Sequence, residues 1–275
     1  MKLDLHCHTT ASDGALTPTE IVQRAVERGV DVLSITDHDT VAAYGKLGSD
    51  DLAKLQLVPG IEFSTRWQGH TIHIVGLDID LASAVLADAV SRQQAARAAR
   101  AEEIGRRLER AGIENALDGA RDLAGESTIG RPHFARLMVE SGRVKSIAAA
   151  FKKYLGPGKV GDVKQFWPPL EIVTGWITAA GGIAVLAHPG KYRMTNTKLA
   201  ALIDEFRDHG GGAIEVLCGQ QSTDVTRKLA RLCNQRDLLA SCGSDFHAPG
   251  QPWSELGAFG ALPKECRTIR EALRV

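Results

Sequence analysis

Residues 2–8, Lys-Leu-Asp-Leu-His-Cys-His, run a short strand-like segment straight into two histidines, and the figure recurs along the chain. Thr36-Asp37-His38, Glu62, His188-Pro189 and Ser244-Asp245-Phe246-His247 each follow an apolar, strand-like run in the same way. A core histidine can follow one strand by accident. Repetition after successive strands predicts that one edge of a sheet or barrel is lined with imidazole and carboxylate, because loops at the carboxyl ends of parallel strands converge on one face. The expectation is a multinuclear metal site in a hydrolase.

The segments between these points set the fold class. Lys2–His6 reads as the first strand. Thr17-Pro18-Thr19-Glu20 opens a helix with Thr17 as N-cap, Pro18 at N1 and Glu20 at N3, and the helix is expected to stop near Gly29. Further strands are expected over Val30–Thr36, Leu55–Phe63, Thr71–Asp80, Ile183–Ala187, Ala213–Leu217 and Leu238–Cys242. Helices are expected over Pro169–Ala180, Asn196–His209 and Thr223–Arg236. Apolar strands alternating with helices argue for an α/β fold, a parallel sheet covered by helices and closed or nearly closed as a barrel.

Residues 81–168 break that alternation, being rich in Ala, Arg and Glu without a convincing strand. They are predicted as a helical insertion in a barrel built from residues 1–80 and 169–275. A long helix is expected over Ala82–Ala111, ending at Gly112, with shorter helices over Pro132–Ser141 and Val144–Tyr154. Between residues 91 and 168 there are 15 Lys and Arg against 9 Asp and Glu, so the insertion carries +6 in a chain of formal net charge zero.

With 275 residues and 44% hydrophobic composition, the chain can bury a full core. Its 33 basic and 33 acidic residues remove any global electrostatic case for a nucleic-acid or membrane protein. No run approaches the roughly 18 to 20 apolar residues of a membrane span, and Met1–His6 lacks a signal-peptide pattern, so a cytoplasmic location is expected. The five cysteines have no CxxC spacing, and an odd, dispersed set argues against a disulfide framework. Period-two alternation points Cys7 away from His6 and His8, as a small buried residue.

Those two histidines share a face of an extended segment and can grip one ion. With Asp13, His38, Glu62, His73, His188, Asp245 and His247 they form a set too large for a single ion, since a catalytic zinc-type site takes about three protein ligands. Two or three divalent ions are expected, with Glu62 or Asp245 as a bridge. Imidazole and carboxylate without thiolate favour Mn, Zn, Fe or Co over Mg or Ca, and Mn leads. Metals about 3.5 to 4 Å apart can deprotonate a water for in-line attack at phosphorus. Asp37 is expected to orient the ligands.

At this point the chain resembles the PHP (polymerase and histidinol phosphatase) domain family of the amidohydrolase superfamily, through HCHTTASDG, ITDHDT, GIEFS, HIVGL, AHP and GSDFH. Within it the TrpH/YciV-like group is nearest, through RPHFARLMVESG, AFKKYLG and AGGIAVLAHPGKY. The resemblance implies a distorted (β/α)7 barrel with a helical insertion subdomain. It implies His6, His8, Glu62 and Asp245 for one ion, Glu62, His73 and His188 for a second, and Asp13, His38 and His247 for a third. Many relatives have histidine where this chain has Asp13. The catalytic assignments are Asp13, His38, Glu62, Asp245 and His247.

The resemblance also implies a substrate, a nucleoside 3',5'-bisphosphate such as adenosine 3',5'-bisphosphate, losing its 3'-phosphate to leave a nucleoside 5'-phosphate. The alternatives are 5'-to-3' exoribonuclease action on short RNA and, from another class, a non-catalytic metal-dependent nucleotide-binding module. No membrane and no obligate protein partner is indicated. The second phosphate needs its own anchor, and charge and placement nominate Arg131 with Ser127 and Thr128, helped by Arg97, Arg100, Lys159 or Arg193. Plainer roles are expected for His209 at a helix end, His133 within the insertion, His70 in a loop, and Phe166 and Trp167 in packing at the domain junction.

Overall fold

A computed structural model describes residues 1–274. The chain opens with strand β1 (Leu3–Cys7), helix α1 (Pro18–Glu27) and strand β2 (Val32–Ile35). Helix α1 begins as its sequence dictates: the Glu20 amide donates to Thr17 Oγ1, and the Glu20 carboxylate accepts from the Thr17 amide at 2.7 Å. Gly29 follows at φ +66°, a left-handed residue that ends the helix. A short helix α2 (Ser49–Leu52) then leads to β3 (Gln56–Leu57), β4 (Gly60–Trp67) and β5 (His70–Leu77).

The expected strand Leu55–Phe63 is therefore two strands in two sheets. Pro59 lies between them and has no amide hydrogen for a ladder. Strand β3 pairs in parallel with β2, whereas β4 runs on to Trp67 and turns back as an antiparallel hairpin with β5. The turn is Gln68-Gly69, both at positive φ (43° and 77°), as a two-residue hairpin turn of this hand requires. The His70 side of that hairpin belongs to β5, opposite Trp67, and not to a loop.

After β5 come α3 (Ala84–Arg110), α4 (Ala116–Ala124), α5 (Arg131–Glu140) and α6 (Ile147–Ala150). Residues Phe151–Leu155 continue α6 as a single π-helical turn, closed by the Gly156 amide on the Phe151 carbonyl at 2.8 Å. Helix α4 has no counterpart in the sequence reading; its N-cap, Asn115, sits at φ +51° and makes no side-chain capping bond, so the usual start signal is missing. The chain returns through α7 (Leu170–Ala179), β6 (Ile183–Leu186), α8 (Asn196–Asp208), β7 (Ala213–Cys218), α9 (Thr223–Gln235) and β8 (Leu239–Gly243). His209 caps the end of α8.

The fold is a mixed α/β architecture with parallel strands and covering helices, in two sheets ordered β1-β2-β3 and β4-β5-β6-β7-β8. The pairs β4–β5 and β5–β6 are antiparallel and the others parallel, which is where the structure departs from a regular strand-helix repeat. The sheets abut at two seams. The His8 amide donates to the Phe246 carbonyl at 2.9 Å and the Asp245 amide to the His6 carbonyl at 2.8 Å. On the other side the Asp39 amide reaches the Glu62 carbonyl at 2.9 Å.

Helix α3 serves two cores with one stripe. Leu86 and Ala89 pack with the helices and strands of the main body, while Ala101, Ile104 and Leu108 join Phe134, Met138 and Leu155 in a separate cluster within the insertion. Between them the same helical spacing carries Gln93, Arg97 and Arg100, polar side chains on a buried stripe. Among the described residues no helix is long and apolar enough to cross a membrane.

The seam between β1 and β8 sets a close limit at Gly243, where a Cβ would stand 2.3 Å from His6 Cβ and 2.8 Å from the His6 amide nitrogen. Gly243→Ala is expected to cost about 2 kcal/mol, the scale of an overpacked core, and to lower the thermal midpoint by roughly 5 °C. A melting curve superimposable on that of the wild type would contradict this approach of the strands.

Candidate metal centre and adjoining cavity

Each element delivers its side chain to one edge. Strand β1 places His6 and His8 together and turns Cys7 away, where its buried thiol donates to the Ser34 carbonyl at 3.3 Å. Burial, with Asp4 and Asp37 nearby, raises the Cys7 pKa well above its usual value, so no reactive thiolate lies here. The extension of β2 carries His38, β4 carries Glu62, and β5 sets His73 across from Ser64. His188 and Asp245 follow β6 and β8 at φ 34° and 54°, with Asp39 at 56°. Such left-handed conformations cost a non-glycine residue roughly 1 kcal/mol or more, and they gather where the surrounding structure fixes a side chain for use.

Glu62 is fully buried, and five imidazoles turn a nitrogen toward its two oxygens. His73 Nδ1 and His188 Nε2 each lie 3.0 Å from Oε1. His6 Nε2, His8 Nε2 and His38 Nδ1 lie 3.4, 3.3 and 2.9 Å from Oε2. Asp245 Oδ1 sits 3.5 Å from His6 Nε2 and 3.3 Å from His8 Nε2. Asp13 joins from the loop after β1, 3.8 Å from His38 Nε2 and 3.4 Å from His247 Nε2. All nine residues singled out as ligands are thus brought into one cluster, in overlapping groups that could each hold an ion: His6 with His8 and Asp245, His6 with Glu62 and His188, His38 with Glu62 and His73, and His8 with Asp13, His38 and His247.

The contacts within the cluster do not satisfy it. Glu62 Oε2, His8 Nδ1, His38 Nδ1 and His188 Nδ1 are buried without a hydrogen-bond partner, the 2.9 Å approach of His38 to Glu62 lacking hydrogen-bond geometry. Orphaned buried polar atoms are costly, and imidazole nitrogens converging on carboxylate oxygens suit divalent cations.

The electrostatics agree. Burial opposes ionisation of Glu62, but His38, His73 and His6 outweigh it and hold its pKa well below the usual range. Burial, reinforced by His247, lowers His8 to about 3, and burial lowers His73 to about 4, which favours the neutral form of both rings. For His247 burial is outweighed by Asp13 and Asp245, and its pKa rises to about 10. His6 is raised well above its usual value, Glu215 and Glu62 overcoming burial.

Several supporting residues were not foreseen in the sequence. Glu215 on β7 takes His6 Nδ1 at 2.9 Å and the His188 amide at 2.5 Å, fixing the orientation of one ring and the loop of another. Its signal is a lone acid within the apolar run of β7. The Tyr192 hydroxyl accepts from the His73 amide at 3.0 Å, and Lys191 Nζ contacts Asp245 Oδ2 at 2.5 Å. Asp37 is tied to the loop after β1: its carboxylate accepts from the Thr9 amide at 2.7 Å and from Ser12 Oγ at 2.6 Å, beside Asp13.

A cavity of about 190 Å³ opens beside Asp13, His38 and His73 and is walled by Arg97, Arg100, Arg131, Phe151 and Trp167, with Thr128 at its rim. Arg97 is anchored by Asp39 at 2.5 Å, Arg100 by the Val163 carbonyl at 2.7 Å, and Arg131 by the Leu155 carbonyl at 3.1 Å. The guanidinium groups of Arg97 and Arg100 both lie over the Trp167 ring, 5.4 and 4.9 Å from its centroid, and Arg131 covers Phe151. Trp167 therefore lines the cavity, beyond the junction packing foreseen for it. Burial, with Arg131 and Arg97 adding like charge, pushes the Arg100 pKa well down. Ser127 lies in a neighbouring cleft with His133 and Arg136, and its hydroxyl donates to the Ala124 carbonyl at 2.6 Å. Lys159 and Arg193 are exposed and do not line the cavity. His133 is buried and accepts from the Gly130 amide at 3.0 Å.

The PHP domain model matches residues 4–153. The chain is 48% identical over 264 residues to the 5'-3' exoribonuclease Rnm of Escherichia coli (strain K12), covering 94% of this chain and 89% of that protein. It is 44% identical over 269 residues to a 3',5'-nucleoside bisphosphate phosphatase of Chromobacterium violaceum, covering 97% and 94%. A solved amidohydrolase from Chromobacterium violaceum, with bound sulfate and no metal, matches with a TM-score of 0.91 at 43% identity, covering 99% of this chain and 95% of that one. With its family model matched over more than half its length and relatives aligned almost end to end, the chain belongs to the PHP domain family.

Proposed function

We propose that this hydrolase cuts a phosphoester at a ribose 3'-oxygen, releasing the 3'-phosphate of nucleoside 3',5'-bisphosphates such as adenosine 3',5'-bisphosphate and leaving a nucleoside 5'-phosphate. The observation that carries the reading is one cavity shared by the ligand cluster and three arginines, of which, among the described residues, only Arg97 has a carboxylate at ion-pair distance. Buried guanidinium groups without a counter-charge are costly, and a dianionic phosphate offsets that cost. A substrate with one phosphate at the cluster and another at Arg100 and Arg131 matches this arrangement. The 44% identity to a bisphosphate phosphatase supports it.

Divalent ions bound at the cluster, Mn first among the candidates, lower the pKa of water and neutralise charge on the reacting phosphate. We assign His6, His8, Glu62 and Asp245 to one ion, Glu62, His73 and His188 to a second, and Asp13, His38 and His247 to a third. The two oxygens of the Glu62 carboxylate support the first two sets, since His73 and His188 meet Oε1 while His6 and His8 meet Oε2, where His38 of the third set also approaches. Glu215 keeps the His6 ring turned inward, and Asp37 holds the loop that carries Asp13. Arg100 and Arg131 fix the second phosphate, while Trp167 and Phe151 hold those guanidinium groups against the cavity wall. Residues 81–168 act in this reading as a cap on a barrel made by residues 1–80 and 169–275. The five cysteines are free, which suits the cytoplasm.

The 48% identity to an exoribonuclease favours a second activity of the same site, 5'-to-3' removal of nucleotides from short RNA. The bond broken and the 5'-phosphorylated product are the same.

Arg131→Ala is expected to lower kcat/KM for adenosine 3',5'-bisphosphate about 30-fold, the worth of a charge-assisted phosphate contact, and for adenosine 3'-phosphate less than threefold. Phosphate release from the two substrates measures this, and equal losses would remove the anchor role. Asp245→Asn is expected to abolish turnover with an unchanged circular dichroism spectrum and a lower metal content by elemental analysis; full activity would sink the ligand assignment. Because His6 and His247 are raised, metal binding near neutral pH must displace protons, so affinity rises with pH and falls as the rings protonate. Calorimetry of Mn binding in buffers of different ionisation enthalpy should show at least one proton released.

A further inference from the structure

We propose that a groove on the Asp245 side of the centre binds the nucleotide that follows the scissile phosphate in an RNA chain, with Trp253 as the platform for its base. The proposal rests on the reading that the site cuts at a ribose 3'-oxygen.

The first observation is Trp253 itself. Its side chain is 59% exposed, whereas every other aromatic among the described residues is buried or half-buried. Exposing an indole sacrifices a large burial gain, so packing gives no reason for tryptophan here. The backbone beneath it is nevertheless firmly held. The Gln220 amide donates to the Trp253 carbonyl at 2.7 Å, and the Ser254 amide to the Gln251 carbonyl at 3.1 Å. At Gly219, at φ +53°, a Cβ would come within 2.5 Å of the Trp253 carbonyl oxygen, so the β7–α9 loop approaches this segment as only glycine allows. A fixed backbone presenting an unpacked aromatic ring is the form of a stacking platform.

The second observation is where this residue stands. Trp253 lines a groove of about 210 Å³ with Lys191, Gln220, Gln221 and Ser254. This groove is similar in size to the arginine cavity and shares no lining residue with it. Lys191 joins it to the cluster, its Nζ lying 2.5 Å from Asp245 Oδ2. The arginine cavity reaches the cluster through Asp13, His38 and His73 instead. Two recesses thus adjoin the cluster, one walled by arginines and one lined by Trp253 and two glutamines and linked to the cluster by Lys191.

A 5'-phosphorylated RNA uses both. Its 5'-phosphate occupies the arginine cavity and its first internucleotide phosphate the cluster. Water attacks that phosphorus, the bond to the 3'-oxygen breaks, and the 3'-oxygen takes a proton and leaves as a nucleoside 5'-phosphate. The phosphate stays on the next nucleotide, whose ribose and base lie in the groove. A nucleoside 3',5'-bisphosphate has nothing beyond its 3'-phosphate and leaves the groove empty.

The test compares kcat/KM for a 5'-phosphorylated dinucleotide with that for adenosine 3',5'-bisphosphate. Stacking of one base on an aromatic side chain is worth roughly five- to hundredfold. Trp253→Ala is expected to lower the dinucleotide-to-bisphosphate ratio about tenfold, and Trp253→Phe to restore most of it. In the wild-type protein, replacing the second nucleotide by an abasic ribose should lower the dinucleotide rate by the same factor, a readout independent of how the variant folds. An unchanged ratio in Trp253→Ala, or an abasic substrate cut as fast as the intact one, overturns the proposal. A wild-type protein that hydrolyses the bisphosphate but no dinucleotide overturns it while leaving the proposed function standing, whereas hydrolysis of neither removes both.

Discussion

The fully buried carboxylate of Glu62 is the constraint on which the rest of the structure depends. Taking a carboxylate out of water costs several kcal/mol unless opposite charge and hydrogen bonds replace its hydration. Here the replacements are five imidazoles from β1, the extension of β2, β5 and the loop after β6, all within 3.4 Å. Two sheets must meet at this one side chain for that to happen. The backbone bridge between His38 and Glu62 and the close contact of β1 with β8 bring them there. The remaining orphan atoms suit divalent cations.

A second buried acid ties the insertion to this floor. Asp39 accepts from the Ser64 amide, Ser64 Oγ, Gln93 Nε2 and Arg97 Nε at 2.5 to 2.9 Å. Gln93 and Arg97 belong to helix α3, so the helix that follows β5 is registered to the strand that carries Glu62. Arg100, one turn further on, then falls on the cavity wall beside Trp167. The positive charge of the insertion is used locally in this way, while many of its other basic residues lie on the solvated surface.

The clustered histidines and acids were legible in the sequence because most lie at or just beyond the end of an apolar strand-like run, and strands of an α/β fold present their carboxyl ends on one face. Capping signals were legible for α1, where Thr17 and Glu20 close on each other, and failed for α4, which starts without a side-chain cap. The hairpin was missed for a physical reason. The expected strand stopped at Phe63, before the polar Ser64, Thr65 and Arg66, yet Ser64 and Thr65 are buried, satisfied by Asp39 and the Pro168 carbonyl. Those partners lie far off in the chain and leave no local pattern.

The same distinction separates what each level decided. The sequence alone determined the α/β class, the run of helices that follows β5 and the imidazole and carboxylate side chains near strand ends, since these depend on periodicity, caps and position along a strand, all local properties. Only the tertiary structure decided which histidine meets which oxygen of Glu62, that Glu215 supports His6 across 209 residues, and that Lys159 and Arg193 lie away from the arginine cavity. It also decided that Trp253 stands exposed beside Lys191. Such contacts follow from sheet order and strand register, which long-range packing fixes and no short stretch of sequence encodes.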